Sequence, residues 1–207
     1  MILAPLAALL LTGAAAVGER APPIDQCAAD AGFAAFRDGL RQALARRDVD
    51  AVTAAIADKV VLAFDGPRGK AGFVTAWAAD RAGGNKMWGE LTAVLDAGCA
   101  IDGAGRVAPS LGAQIDPALD LTTIVVAAKP ARLMARPDAA SAVIKTLDWE
   151  IVQWLPEGDS GDYLKVALSD GRSGFLLRES ARSPLDKRVT FERVDGVWKI
   201  TAFLAGD

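Results

Sequence analysis

The chain has no histidine in 207 residues. That absence removes the commonest general base, the Ser-His and Cys-His catalytic pairings, and the commonest metal ligand. Cysteine is nearly absent too, with only two residues. Without histidine or a C-x-x-C spacing they offer no metal site. Charge of one sign is also scarce: the net charge is −3 with no long acidic or basic run. No basic stripe exists to neutralise nucleic-acid phosphates or to hold an anionic membrane surface. An enzyme would have to rely on a carboxylate pair, a lysine or the single tyrosine, and none of these sits in a recognisable motif. The sequence therefore names no catalytic residue, no metal and no cofactor, and a non-enzymatic role is the expectation.

What is present is a foldable chain. Hydrophobic residues make up 52% and charged residues 24%, and the length suits one large domain or two small ones. The first residues, MILAPLAALLLTGAAAVGERAPP, are an apolar run followed by small residues. Ala14-Ala15-Ala16 offers an A-x-A cleavage site, so residues 1–18 read as a secretory signal peptide cut after Ala16 or Gly18. The alternative is an uncleaved anchor, but the leucine-rich part is about ten residues long and a span needs about 20. No other stretch has the length of a membrane span, so no transmembrane segment is expected in the mature chain. Cys27 follows Ile24-Asp25-Gln26, which is not a lipoprotein leader. The expected location is the periplasm or the exterior.

In an exported chain an even pair of cysteines predicts a disulfide, here Cys27 to Cys99. Two buried thiols are the alternative if the leader reading fails. Closing that loop would remove denatured-state entropy worth about 4 kcal/mol.

The spacing of Phe33, Phe36, Leu40 and Leu44 predicts an amphipathic helix over 28–46, with Arg37, Asp38 and Arg41 on its solvated face. Asp48 is a suitable cap for a second helix reaching Asp58. KVVLAF (59–64) reads as a strand and DGPRGK as a turn; Asp65, Arg68 and Lys70 would flank that turn. Phe73, Val74 and Trp77 suggest a third helix. Met87, Trp88, Leu91 and Leu95 suggest a fourth, ended by Gly98. Trp77 and Trp88 fit helical faces and read as core. Residues 101–117 are glycine-rich and read as a connection between two parts. After them come short β-type runs, with Asp170-Gly171 and Asp195-Gly196 as hairpin signals.

Within the β-rich half, Leu133-Met134-Ala135-Arg136-Pro137, then Val143-Ile144 and Leu147, then Tyr163-Leu164-Lys165-Val166, and finally Ser169-Asp170-Gly171-Arg172-Ser173-Gly174-Phe175-Leu176 follow one another. Over about 129–184 this series resembles the bacterial SH3-type domain family. The resemblance implies a small, strongly bent antiparallel β-barrel of the kind attached to cell-wall enzymes and sometimes binding peptidoglycan. The helices, the strand and a final F-E-R-x-D-G-x-W-K-I hairpin resemble, more generically, a nuclear-transport-factor-2-like α+β cone.

The expected fold class is thus α+β. Residues 24–115 form a helix-rich region, 121–185 an SH3-like β-barrel, and 186–207 a C-terminal hairpin that packs back on the amino-terminal region. The expected function is a non-enzymatic binding or scaffolding role at the cell envelope, with peptidoglycan or an envelope protein as partner. Tyr163, Phe175, Trp149 and Trp154 are the candidate groove aromatics. For Tyr163 and Phe175 groove and core stand as equal alternatives, whereas the alternation of Trp154 with Val152 favours the core. Glu157, Asp159 and Asp162 match no calcium-loop pattern and read as a hairpin tip. The rival reading is a small-molecule pocket, of a lyase or isomerase type, in a cone-shaped α+β domain.

Overall fold

The computed structural model describes residues 15–62, 69–73, 86–128 and 130–204. Residues 1–14 of the expected leader lie outside the described residues, but Ala15–Gly18 are built into the fold. Ala15 pairs with Ile115 as a parallel bridge, its N–H donating to the Gln114 carbonyl at 2.7 Å and its carbonyl accepting from Asp116 at 3.0 Å. The Gly18 N–H donates to the Ile151 carbonyl at 2.8 Å. Val17 packs on a small cluster that includes Ala21, Leu111, Ile115 and Ile151.

Asp30 caps helix α1 (Ala31–Arg46) by accepting from the Phe33 N–H, which satisfies a donor the helix cannot. Phe33, Leu40 and Leu44 face the core at the expected spacing. Arg37 departs from expectation. It is 6% exposed because the 3-10 turn Gln26–Ala29 folds along the helix and lays Asp25 against it. The Arg37 guanidinium donates to both Asp25 carboxylate oxygens, at 2.8 and 2.7 Å. The helix stops at Arg47, whose left-handed backbone (φ 54°) fills the position glycine usually takes.

Asp48 caps α2 (Val49–Ala54), and the chain becomes strand earlier than expected, in β1 (Ile56–Val61). Ile56 is drawn into parallel pairing with Ile200, a partner invisible to local periodicity. The expected end of that strand, with Asp65 and Arg68, lies outside the described residues, as do Val74 and Trp77. Lys70, on α3 (Gly69–Phe73), pairs with Asp58 at 2.9 Å. Helix α4 (Lys86–Asp96) buries Trp88, Leu91 and Leu95. Arg41 of α1 ties the two helices by donating to the Leu95 carbonyl at 2.8 Å.

The stretch read as a loose connection contains two strands, β2 (Ala100–Asp102) and β3 (Gly105–Ala108). Both are short; β2 pairs with β3, and β3's other partner, β11 (Arg188–Val194), lies far along the chain. β11 and β12 (Val197–Leu204) form a hairpin around Asp195 and Gly196, both with positive φ, as a two-residue primed turn needs. One sheet has the order β1-β12-β11-β3-β2. Its core is dense. The Phe33 ring meets Phe191 at 5.2 Å and Trp198 at 5.0 Å, both edge-on, and Phe73, Leu91, Leu95 and Phe203 are fully enclosed.

The second sheet takes its strands from the middle of the chain: β4 (Ile124–Ala127), β5 (Ala131–Met134), β6 (Val143–Leu147), β7 (Ile151–Trp154), β8 (Tyr163–Ala167), β9 (Ser173–Leu177) and β10 (Ala181–Arg182). It is antiparallel throughout, in the order β10-β4-β7-β8-β9-β5-β6. The architecture is therefore mixed α+β, with four α-helices and two sheets among the described residues. None of these helices is long and apolar enough to cross a membrane.

Candidate functional site

Strand alternation sorts the aromatics of the second sheet. In β8 and β9 the residues Leu164, Val166 and Leu176 point inward and are buried. Tyr163, Lys165, Phe175 and Leu177 stand on the other face and are half-buried. Pairing sets Tyr163 opposite Leu177 and Lys165 opposite Phe175, so Tyr163 and Phe175 are diagonal neighbours on one face. The Lys165 ammonium lies 4.3 Å from the Phe175 ring centre, a cation–π contact. Its stem rests on Gly158, where an added Cβ would meet Lys165 Cγ at 2.7 Å.

Trp154 does not join that row. It pairs with Val166 and packs with the buried cluster, while its indole N–H donates to Asp159 at 3.0 Å. The same carboxylate accepts from the Lys165 N–H at 2.9 Å and from Arg178 at 3.0 Å. The acidic loop at 157–162 is thus braced by Asp159 from within. Among the described residues, the one grouping of three potential metal ligands is Asp25, Cys27 and Cys99. Both of its sulfurs are committed to the Cys27–Cys99 disulfide, with Cα atoms 5.7 Å apart.

Trp149 is separated from the row altogether. It occupies a left-handed backbone conformation (φ 56°), rare for a bulky residue. Two backbone bonds hold it there: its N–H donates to the Ala127 carbonyl at 2.7 Å, and its carbonyl accepts from Ala21 at 2.8 Å. Its side chain lines a cleft of about 270 Å³ between the second sheet and α4, with Pro23, Val94, Pro109 and Leu111 as apolar wall. Glu90 of α4 and Lys187 form an ion pair among the lining residues. Ser110, fully buried, is saturated: it accepts from the Ile24 N–H and from Gln114 Nε2 and donates to the Ala97 carbonyl.

The structure therefore brings Tyr163 and Phe175 together, packs the half-buried Trp154 against the core cluster instead, and places Trp149 at a different site. The cleft was not legible in the sequence. Its lining comes from five separated segments, and the left-handed turn at Trp149 carries neither glycine nor asparagine to announce it. A fully formed apolar cleft can enclose a small ligand, and a half-exposed aromatic row can hold an extended chain.

No family model matches this chain, and no curated protein matches it. Among solved structures, it is similar to an NTF2-like protein of unknown function from Pseudomonas putida KT2440. The two are 13% identical, the match covers 86% of each chain, and the TM-score is 0.29.

Proposed function

We propose that the chain is a non-enzymatic binding protein of the bacterial envelope, in which the β4–β10 sheet is an SH3-like module that engages peptidoglycan or an envelope protein. The observation that carries the reading is the row Tyr163, Lys165, Phe175 and Leu177, half-exposed on one face while the alternating residues fill the core. A bent module is supported by the core itself: Val125, Leu133, Leu147, Val152, Leu164, Leu176 and Ala181, drawn from every strand of the sheet, share one cluster. A flat sheet of seven strands spaced about 4.8 Å apart would keep its outermost strands too far apart to share one. The disulfide fits an oxidising compartment.

The test is co-sedimentation of the oxidised protein with purified peptidoglycan sacculi. Tyr163→Ala and Phe175→Ala, each checked for native circular dichroism, are expected to reduce pelleting by about tenfold. Failure of the folded wild type to pellet sinks the peptidoglycan reading.

A second reading, a small-molecule site, is favoured by the cleft at Trp149. Ala93 lines that cleft from α4 and is otherwise exposed. Sacculus binding that survives both aromatic substitutions but is lost in Ala93→Trp would move the site to the cleft.

A further inference from the structure

The cleft beside Trp149 joins an apolar wall to four charged side chains, Glu90, Arg182, Asp186 and Lys187. Its volume of about 270 Å³ falls just below the about 300–1,000 Å³ usual for drug-sized ligands, so it suits a smaller molecule. Three of the four charges are engaged within the protein. Glu90 and Lys187 pair with each other, and Asp186 accepts from the Ser183 N–H at 2.9 Å. Arg182 has no such partner. Its Nη1 donates only to main-chain carbonyls, of Ala181 at 2.8 Å and Glu179 at 3.3 Å. Its Nε and Nη2 make no hydrogen bond or ion pair among the described residues.

Strand register fixes the face on which Arg182 stands. It pairs with Val126 of β4, while Ala181 pairs with Ala127, and directly paired residues share a face of the sheet. Ala127 and Ala181 lie in the inner cluster, whereas Val126 belongs to the cluster against which Trp149 packs. Arg182 therefore stands on the Trp149 side. Trp149 supplies an independent observation. Left-handed backbone is costly for a bulky residue and tends to persist at ligand clamps. Here it holds a large ring half-buried at the cleft wall rather than enclosed in a core.

We propose, on the reading of the cleft as a small-molecule site, that it binds a small amphipathic monocarboxylate, with the apolar body on Trp149, Pro23 and Leu111 and the carboxylate on the Nε–Nη2 edge of Arg182. That edge is a planar pair of donors matched to two carboxylate oxygens, and both bonds would be charge-assisted. The apolar wall adds the burial that a carboxylate alone cannot gain.

The test is titration of the oxidised, isotope-labelled full chain with octanoate, octan-1-ol and octylammonium, followed at the assigned Trp149 indole resonance. Octanoate is expected to move that resonance saturably, with the alcohol and the ammonium at least about tenfold weaker. Arg182→Gln is expected to weaken octanoate binding about tenfold and to leave octan-1-ol binding unchanged, and Arg182→Lys, which keeps the charge, to recover part of the loss. Ala93→Trp fills the cleft and is expected to remove the octanoate response. Octan-1-ol or octylammonium binding as tightly as octanoate, or octanoate binding unchanged in Arg182→Gln, would overturn the carboxylate while leaving the cleft a small-molecule site. No saturable response to any of the three probes, or an octanoate response that survives Ala93→Trp, would overturn both.

Discussion

Asp25 and Arg37 show how a single residue can escape pattern reading. Arg37 sits between apolar positions of a helix and reads as solvated, yet the strap before the helix lays a carboxylate across it and excludes water. The pair has a defined pH signature. The Arg37 hydrogen bonds, above all, hold the Asp25 carboxyl below its usual range against the opposing effect of burial. Its contribution is therefore fully present above the unfolded carboxyl value and is lost as pH falls through the depressed folded value. Asp25→Asn is expected to flatten that acidic part of the stability curve. The variant should lower stability at neutral pH by about 2 kcal/mol, below the usual cost of breaking a buried pair because Asp25 is itself partly exposed. Urea unfolding at several pH values measures both effects. Gly98 is the other sensitive residue: φ is 86°, and an added Cβ would lie 2.4 Å from the Ile24 carbonyl oxygen. Gly98→Ala combines backbone strain with a clash against rigid main chain, so a loss of about 3 kcal/mol or more is expected in the same assay.

The disulfide is the tether at the scale of elements. It fastens the strap to β2, where Asp25 already bridges to Cys99 and Gln26 caps the Ile101 N–H. Its loop has a sequence separation of 72, so replacing both cysteines by alanine is expected to cost about 4 kcal/mol by chain entropy. Denaturant unfolding of the oxidised wild type beside the double variant checks this. The pairing itself was readable from two cysteines and a leader-like start. Other elements were readable where the signal is local: the Asp48 cap, the stripe of α1 and the Asp195-Gly196 turn. What failed was structure whose partners are remote. Ile56 becomes strand because Ile200 pairs with it, and β2 and β3 form in a glycine-rich stretch because β11 lies beside β3. The aromatic row was half legible, since alternation puts Tyr163 and Phe175 on one face. No spacing rule told Trp149 from them.

For the whole molecule, the last strands matter most. β12 and β11 lie in the interior of the five-stranded sheet, between β1 and β3, and contribute Phe191, Trp198, Ile200 and Phe203 to its core. A chain ending at residue 184 would strand α1, β1 and α4 without the surface they bury. Such a truncation is expected to abolish slow amide exchange in α1, β1, α4, β2 and β3, a direct reading by hydrogen-exchange mass spectrometry. Persistent protection there would show that the helices form a core on their own.

The second sheet leaves and rejoins the first at neighbouring strands, since Val189 of β11 pairs with Ala108 of β3. That pairing closes a loop of about 80 residues, whose entropic cost slows any folding route that must form it from an open coil. If the middle segment collapses first, its two ends are already delivered side by side, and the remaining search is short. The order of synthesis favours the same sequence of events, because β4 to β10 are complete before the final hairpin emerges. The inserted sheet would then act as an internal template for the assembly of its host.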